Sequence, residues 1–120
     1  MSERGKKYDA GKPAVYRGVL ARFPRALMEI ARVSEFGAEK YEVPIENCDF
    51  LEIEDCEGRY SDALVRHMLN EAIQGRVNPE DGNLLHAAQA AWDSLARLER
   101  ILIDREREPG PAMPAVKLVG

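Results

Sequence analysis

From Leu84 to Leu102 the chain repeats its apolar residues at the spacing of one helix face: Leu84, Leu85, Ala88, Ala91, Trp92, Leu95, Leu98 and Leu102 recur at intervals of three and four. A strand would alternate with a period of two, so the stretch reads as a long amphipathic helix that must cover its leucine stripe. This helix C is expected to open after a turn at residues 76–82, with Asp81 as its N-cap, and to end before Pro109. Opposite the leucines, His86, Gln89, Asp93 and Arg97 form a polar line, which reads as the wet side of the helix.

Two further helices follow the same logic. Helix A is expected from Pro24, a favoured first-turn residue, to about Tyr41, along the line Leu27, Ala31, Ala38, Tyr41. Helix B is expected from Ser61 or Asp62 to Gln74, with Leu64, Val65, Met68, Leu69, Ala72 and Ile73 turned inward and Gly75 as its stop. Between them, residues 42–57 carry seven carboxylates and no basic residue, and read as a loop that Phe50, Leu51 and Ile53 pin to the surface. Glycines and a proline break up residues 1–21, and three prolines break up residues 109–120. The chain therefore divides into an N-terminal arm at 1–21, a helical domain at 22–108 and a tail at 109–120. The fold class is all-α. Three helices in 120 residues leave apolar surface uncovered, so the bundle is expected to be completed by self-association into a homodimer or homotetramer.

With 17 basic against 21 acidic residues the net charge is -4, which is not the electrostatic footprint of a nucleic-acid binder. No stretch approaches the roughly 18 apolar residues that span a bilayer, so no membrane partner is expected. The polar N-terminus has no apolar signal core, which places the protein in a cytoplasm. Cys48 and Cys56 lack the further ligands of a zinc site and read as reduced thiols.

Glu35 and Glu39 lie four residues apart and project from one face of helix A. Such a pair suits a divalent cation, and it equally suits a solvated helix end with Glu35 paired to Arg32. Asp62 at the start of helix B reads either as an N-cap or, with helices A and B antiparallel, as a third carboxylate beside Glu35 and Glu39. Asp93 on helix C falls at a similar level.

The phrases KYDAGKP at 7–13, ALMEIARVSEFGAEKY at 26–41, DALVRH at 62–67 and PEDGNLLHAAQAAW at 79–92 resemble the phage-borne dATP/dGTP diphosphohydrolases (MazZ-like), an offshoot of the MazG-like all-α nucleotide pyrophosphohydrolases. The resemblance spans residues 6–103. It implies a MazG-like bundle holding two or three Mg2+ or Mn2+ ions, which bind a triphosphate and activate water for attack at the α-phosphorus. By this likeness Glu35 and Glu39 stand in the first acidic motif and Asp62 in the second. Arg59 replaces the second motif's usual glutamate, which leaves the fourth ligand open among Glu29, Glu71 and Asp93.

The remaining roles are hypotheses about a deoxypurine triphosphate substrate, dGTP or dATP. Lys12, Lys40 and Arg66 are the cations expected to hold phosphate oxygens, and Asp9 and Asn47 the polar groups expected at the base or sugar. Glu35 is the expected acceptor of the water proton. Two rivals share the sequence features: a metal-free helical adaptor that binds a protein partner, and a metal-dependent phosphohydrolase that cleaves nucleotides at another bond.

Overall fold

The computed structural model describes Gly5 and residues 10–47 and 49–108. Asp9, Cys48 and the tail at 109–120, each with an expectation attached, lie outside the described residues. Three long helices dominate: α1 (Pro24–Lys40), α2 (Cys56–Gln74) and α3 (His86–Arg107). A two-stranded antiparallel hairpin, β1 (Val77–Asn78) and β2 (Leu84–Leu85), joins α2 to α3 in the register Val77 to Leu85 and Asn78 to Leu84. The fold is all-α, as the periodicity predicts; the small sheet is not foreseen by it.

Helix boundaries depart from expectation where local hydrogen bonding competes. The arm is expected to be irregular, yet Tyr16–Leu20 winds into a single π-helical turn. The acidic segment forms 3-10 turns at Ile45–Asn47 and Phe50–Glu52, and α2 begins at Cys56 rather than at Ser61 or Asp62. Asp55 precedes it in the left-handed conformation, φ 52°. A Cβ on Gly58 would lie 2.5 Å from the Asp55 carboxylate, so glycine lets that side chain fold over the first turn. Gly75, φ 101°, stops α2 as expected.

Asp81 is not the N-cap of α3. It sits in the hairpin turn, where Asn78 Nδ2 donates to it at 3.3 Å and Gln89 Nε2 at 2.8 Å. Asn78 Nδ2 also donates to Gln89 Oε1 at 3.0 Å, so a buried amide pair fastens the hairpin to α3. Leu84 and Leu85 consequently enter the sheet, and the helix starts at His86. Gly82, φ 59°, passes so close to α1 that a Cβ there would meet the Phe36 ring at 2.9 Å.

Trp92 is the junction of the helices. Its ring meets Phe50 at 5.2 Å and Tyr60 at 5.5 Å, both edge-on, and its Nε1 donates to Ser34 Oγ on α1 at 2.8 Å. Phe50 thus pins the acidic segment, and Arg100 helps by donating to the Leu51 carbonyl at 3.3 Å. The most extensive pairing is of α2 with α3, and α1 lies against α3.

Burial inverts the expected sides of α2 and α3. Among the described residues the buried apolar side chains are all small: Ala38, Cys56, Ala88, Ala90 and Ala96. Of the side chains expected on the inward apolar faces, Val65, Met68, Leu69, Ala72, Ile73, Leu85, Leu95, Leu98 and Leu102 are exposed, Ile73 at 79%, whereas Leu64, Leu84, Ala91 and Trp92 are half-buried and Ala88 is buried as expected. His86, Gln89 and Asp93, expected on the wet side, are buried, and His86 at 1% is the largest fully buried side chain among the described residues.

Candidate functional site

The carboxylates that the sequence picks out are displayed rather than gathered. Glu35 and Glu39 are exposed on α1. Asp62 is exposed in the second turn of α2, because the early start at Cys56 carries it past the N-cap position. An antiparallel pairing of the first two helices is the reason to expect these three together, and α1 packs on α3 instead. Among the described residues no group of three or more His, Cys, Asp or Glu side chains stands close enough to hold a metal ion. Three carboxylates still supply the hard oxygen donors that Mg2+ or Mn2+ prefers, so the donor chemistry fits while one chain alone does not assemble it.

Arg32 pairs with Glu29 at 3.2 Å and not with Glu35, which leaves Glu35 without that neutralising partner. Lys12, Lys40, Asn47 and Arg66 are all exposed. The Lys40 ammonium lies 5.8 Å from the centre of the Tyr41 ring, and Asn47 closes the 3-10 turn Ile45–Asn47 that packs near α1. A cavity of about 340 Å3 lies beside Cys56, Leu51 and Arg100. Its cation is already engaged, since Arg100 donates through Nε to Asp104 at 3.1 Å and again through Nη2. Burial pushes the Cys56 thiol up, which makes it a structural rather than a reactive group.

The polar groups that do converge lie between α2 and α3. His67 Nδ1 is 3.2 Å from His86 Nδ1, His86 Nε2 is 3.2 Å from Gln74 Oε1, and Asp93 Oδ2 is 3.9 Å from His67 Nε2. Farther along the same seam Arg97 Nε donates to Ser61 Oγ at 2.6 Å. Asp93 Oδ2 is buried with no hydrogen-bond partner. Burial pushes its carboxyl up to about 7, with Arg66 opposing the rise. His67 is pushed down, first by burial and then by His86 and Arg66, against the pull of Asp81. Asp93, one of three candidates for a fourth metal ligand, thus lies buried in this seam and apart from Glu35, Glu39 and Asp62. The sequence held a signal for it: His86, Gln89, Asp93 and Arg97 share one face of α3, and His67 and Gln74 share one face of α2.

Taken together, these features define an all-α chain that turns its acidic helix faces outward and encloses its histidines. The chain belongs to the dATP/dGTP diphosphohydrolase family: the family model of the N-terminal domain matches residues 2–109. No curated protein and no solved structure matches the chain. Among the described residues no helix is long and apolar enough to cross a membrane.

Proposed function

We propose that the chain is a Mg2+- or Mn2+-dependent pyrophosphohydrolase that converts dGTP, and also dATP, to the nucleoside monophosphate and pyrophosphate. Family membership across residues 2–109 is the observation that carries this reading, and it weighs against a non-enzymatic adaptor. Water oxygen attacks the α-phosphorus, the α–β anhydride breaks, and pyrophosphate leaves. Glu35, Glu39 and Asp62 would hold two or three divalent ions, which when bound would supply charge neutralisation at phosphorus and a more acidic water, and Glu35 would take the proton of the attacking water. Lys12, Lys40 and Arg66 bind phosphate oxygens, Arg66 with the option of a bidentate fork, while Asp9 and Asn47 bind the purine or the sugar. In a phage that replaces adenine by 2-aminoadenine, such an activity would supply dGMP to that pathway.

The working unit in this proposal is a homodimer or homotetramer in a cytoplasm. Glu35 and Glu39 on α1 and Asp62 on α2 do not meet within one chain, and the exposed apolar residues Val65, Leu69 and Ile73 follow Asp62 along α2. A second copy seated on that stripe would lie beside Asp62 and bring further carboxylates to it.

Incubation of the purified protein with each of the eight common ribo- and deoxynucleoside triphosphates, plus Mg2+ or Mn2+, tests the reaction. Pyrophosphate and dGMP or dAMP are the expected products. Release of phosphate or triphosphate would assign a different bond, and absence of both turnover and divalent-metal binding would refute the proposal. Asp62→Asn and Glu39→Gln are expected to abolish turnover while leaving metal-free thermal stability equal or higher. Near-normal activity in either variant would overturn the ligand assignment.

A further inference from the structure

Two exposed segments of the chain carry opposite charge and an apolar face each. Residues 10–28 hold four cations, Lys12, Arg17, Arg22 and Arg25, and no carboxylate; residues 42–57 hold seven carboxylates and no cation. Among the described residues no ion pair engages any of them. The arm is also apolar on one side. Val15, Tyr16, Val19, Leu20 and Phe23 share the spacing of one helical face around the turn Tyr16–Leu20, and each is between 45% and 68% exposed. Every residue from 10 to 26 is exposed, so the chain's own helices leave the arm uncovered. The acidic segment has an exposed apolar set too: Val43, Ile45 and Ile53, with Tyr41 just before it.

The arm and the start of the acidic segment flank α1 at opposite ends. The arm enters at Pro24 and the acidic segment begins beyond Lys40, 17 residues later, which at about 1.5 Å per residue is roughly 25 Å away. A hydrogen bond of 3.0 Å from the Val43 amide to the Ala38 carbonyl holds that start against the far end of the helix. One chain thus displays both halves of a complementary contact without closing it, and a second copy supplies the missing half. Opposite charge steers the two segments together and selects against arm-to-arm pairing. The five arm side chains and the four apolar residues opposite them offer on the order of 900 Å2, short of the roughly 1,200–2,000 Å2 of a specific interface. The contact therefore reinforces an association held elsewhere and does not create one alone.

We propose that the basic arm of one copy docks on the acidic segment of a second copy, its apolar face against Tyr41, Val43, Ile45 and Ile53 and its arginines against the surrounding carboxylates. The inference rests on the self-association proposed above for the stripe on α2, and not on the hydrolysis. Under the proposed function it also makes the substrate site composite, since Lys12 rides on the arm and Asn47 on the acidic segment.

A photo-crosslinker in the full-length protein reads the contact directly. Benzoylphenylalanine replaces Tyr16, unlabelled and 15N-labelled preparations are diluted together and reconcentrated, and the crosslinked peptides are mapped by mass spectrometry. Peptides of mixed isotope content that join residue 16 to residues 41–57 are the expected product, because only a contact between copies mixes the labels. Arg17→Glu with Arg22→Glu should lower their yield at least about fivefold, and mixing that chain with copies carrying Glu46→Lys and Glu54→Lys should restore it to within about twofold. All four positions are exposed, and circular dichroism checks that the helices persist in each variant. In a protein that light scattering shows to be oligomeric, crosslinks confined to one isotope, crosslinks that fall on α2 and α3 instead, or yields indifferent to the charge reversals would overturn this contact alone. A monomeric protein would refute the self-association with it, and binding of that monomer to phosphatidylserine vesicles through the arm would assign the arm to a lipid surface.

Discussion

The two sides of the pairing between α2 and α3 are made of opposite materials. Facing inward are His67, His86, Gln89 and Asp93; facing outward are Val65, Met68, Leu69 and Ile73 on one helix and Leu95, Leu98 and Leu102 on the other. In an ordinary helical hairpin the apolar stripes meet and the polar lines face water. Here hydrogen bonding and small alanines join the helices, and the large apolar area remains for something else to cover. A buried polar seam has directional requirements that a leucine seam lacks, because each donor and acceptor must be matched. The seam therefore fixes how the two helices register, and in the proposed oligomer the outward leucines would drive association without fixing register so tightly.

The largest expected effect tests the place where this chain does use aromatic packing. Trp92→Ala removes the edge-on contacts with Phe50 and Tyr60 and the hydrogen bond to Ser34, and so detaches both α1 and the acidic segment from α3. A loss of about 3 kcal/mol is expected, read from urea or thermal unfolding. A loss below about 1 kcal/mol would mean that the helices are held chiefly by the seam, or by a partner, and not by this junction.

The seam itself is tested by pH. Asp93 is raised from 3.8 to about 7, so the folded state binds its proton more tightly than the unfolded state does. Its favourable contribution is complete below pH 3.8 and is lost as pH rises through about 7. His67 has the opposite sign: its lowered value means that stability is lost as pH falls below 6.5. Asp93→Asn removes only the first effect. The variant should gain on the natural chain from pH 5 to pH 7 by at most about 3 kcal/mol, since each pH unit between the two proton affinities is worth about 1.4 kcal/mol, and should gain little more above pH 7. Parallel stability curves for the two proteins would show that the carboxyl does not feel its burial.

Gly82 tests how tightly the hairpin is clamped between α3 and α1. Gly82→Ala places a Cβ 2.9 Å from Phe36 at a backbone φ of 59°, and a cost of about 1–2 kcal/mol is expected. Pairing the change with Phe36→Leu separates the two causes, since the shorter side chain relieves the contact and leaves the backbone strain.

Helices of this kind announce themselves in sequence, and their partners do not. The ends of α1, the stop at Gly75 and the face shared by Leu95, Leu98 and Leu102 follow from the spacing of apolar residues and from the conformations that proline and glycine favour. The direction in which that face points does not follow, because periodicity locates a stripe and says nothing of what lies opposite it. Assigning the leucines to the interior puts His86 and Asp93 on the wet side, and so hides the buried seam. Cys56 and Asp81 show a second limit. Local bonds at Asp55 and Asn78 move two helix starts by a turn or more, which carries Asp62 off its expected cap. The acidic residues of the candidate site are readable as residue types. Their assembly is not, since it depends on which helices pair and, for the proposed enzyme, on a second chain.

The smallest expected effect is also the most direct measure of what the outward face is for. Ile73 is 79% exposed and forms little of the protomer's own packing, so Ile73→Lys should change the intrinsic stability of an isolated chain by less than about 0.5 kcal/mol. If a second copy covers this face, the same substitution buries an ammonium in an apolar contact and becomes costly there. The two cases separate on dilution. For a self-associating chain the unfolding temperature of the natural protein rises with protein concentration, and that of Ile73→Lys stays flat at the natural protein's dilute limit. Light scattering at the same concentrations should show the natural protein at two or four times the mass of the variant. A natural protein that is monomeric and unfolds at one temperature at every concentration would break the comparison, because its leucine stripes would then be stable in water with nothing laid against them.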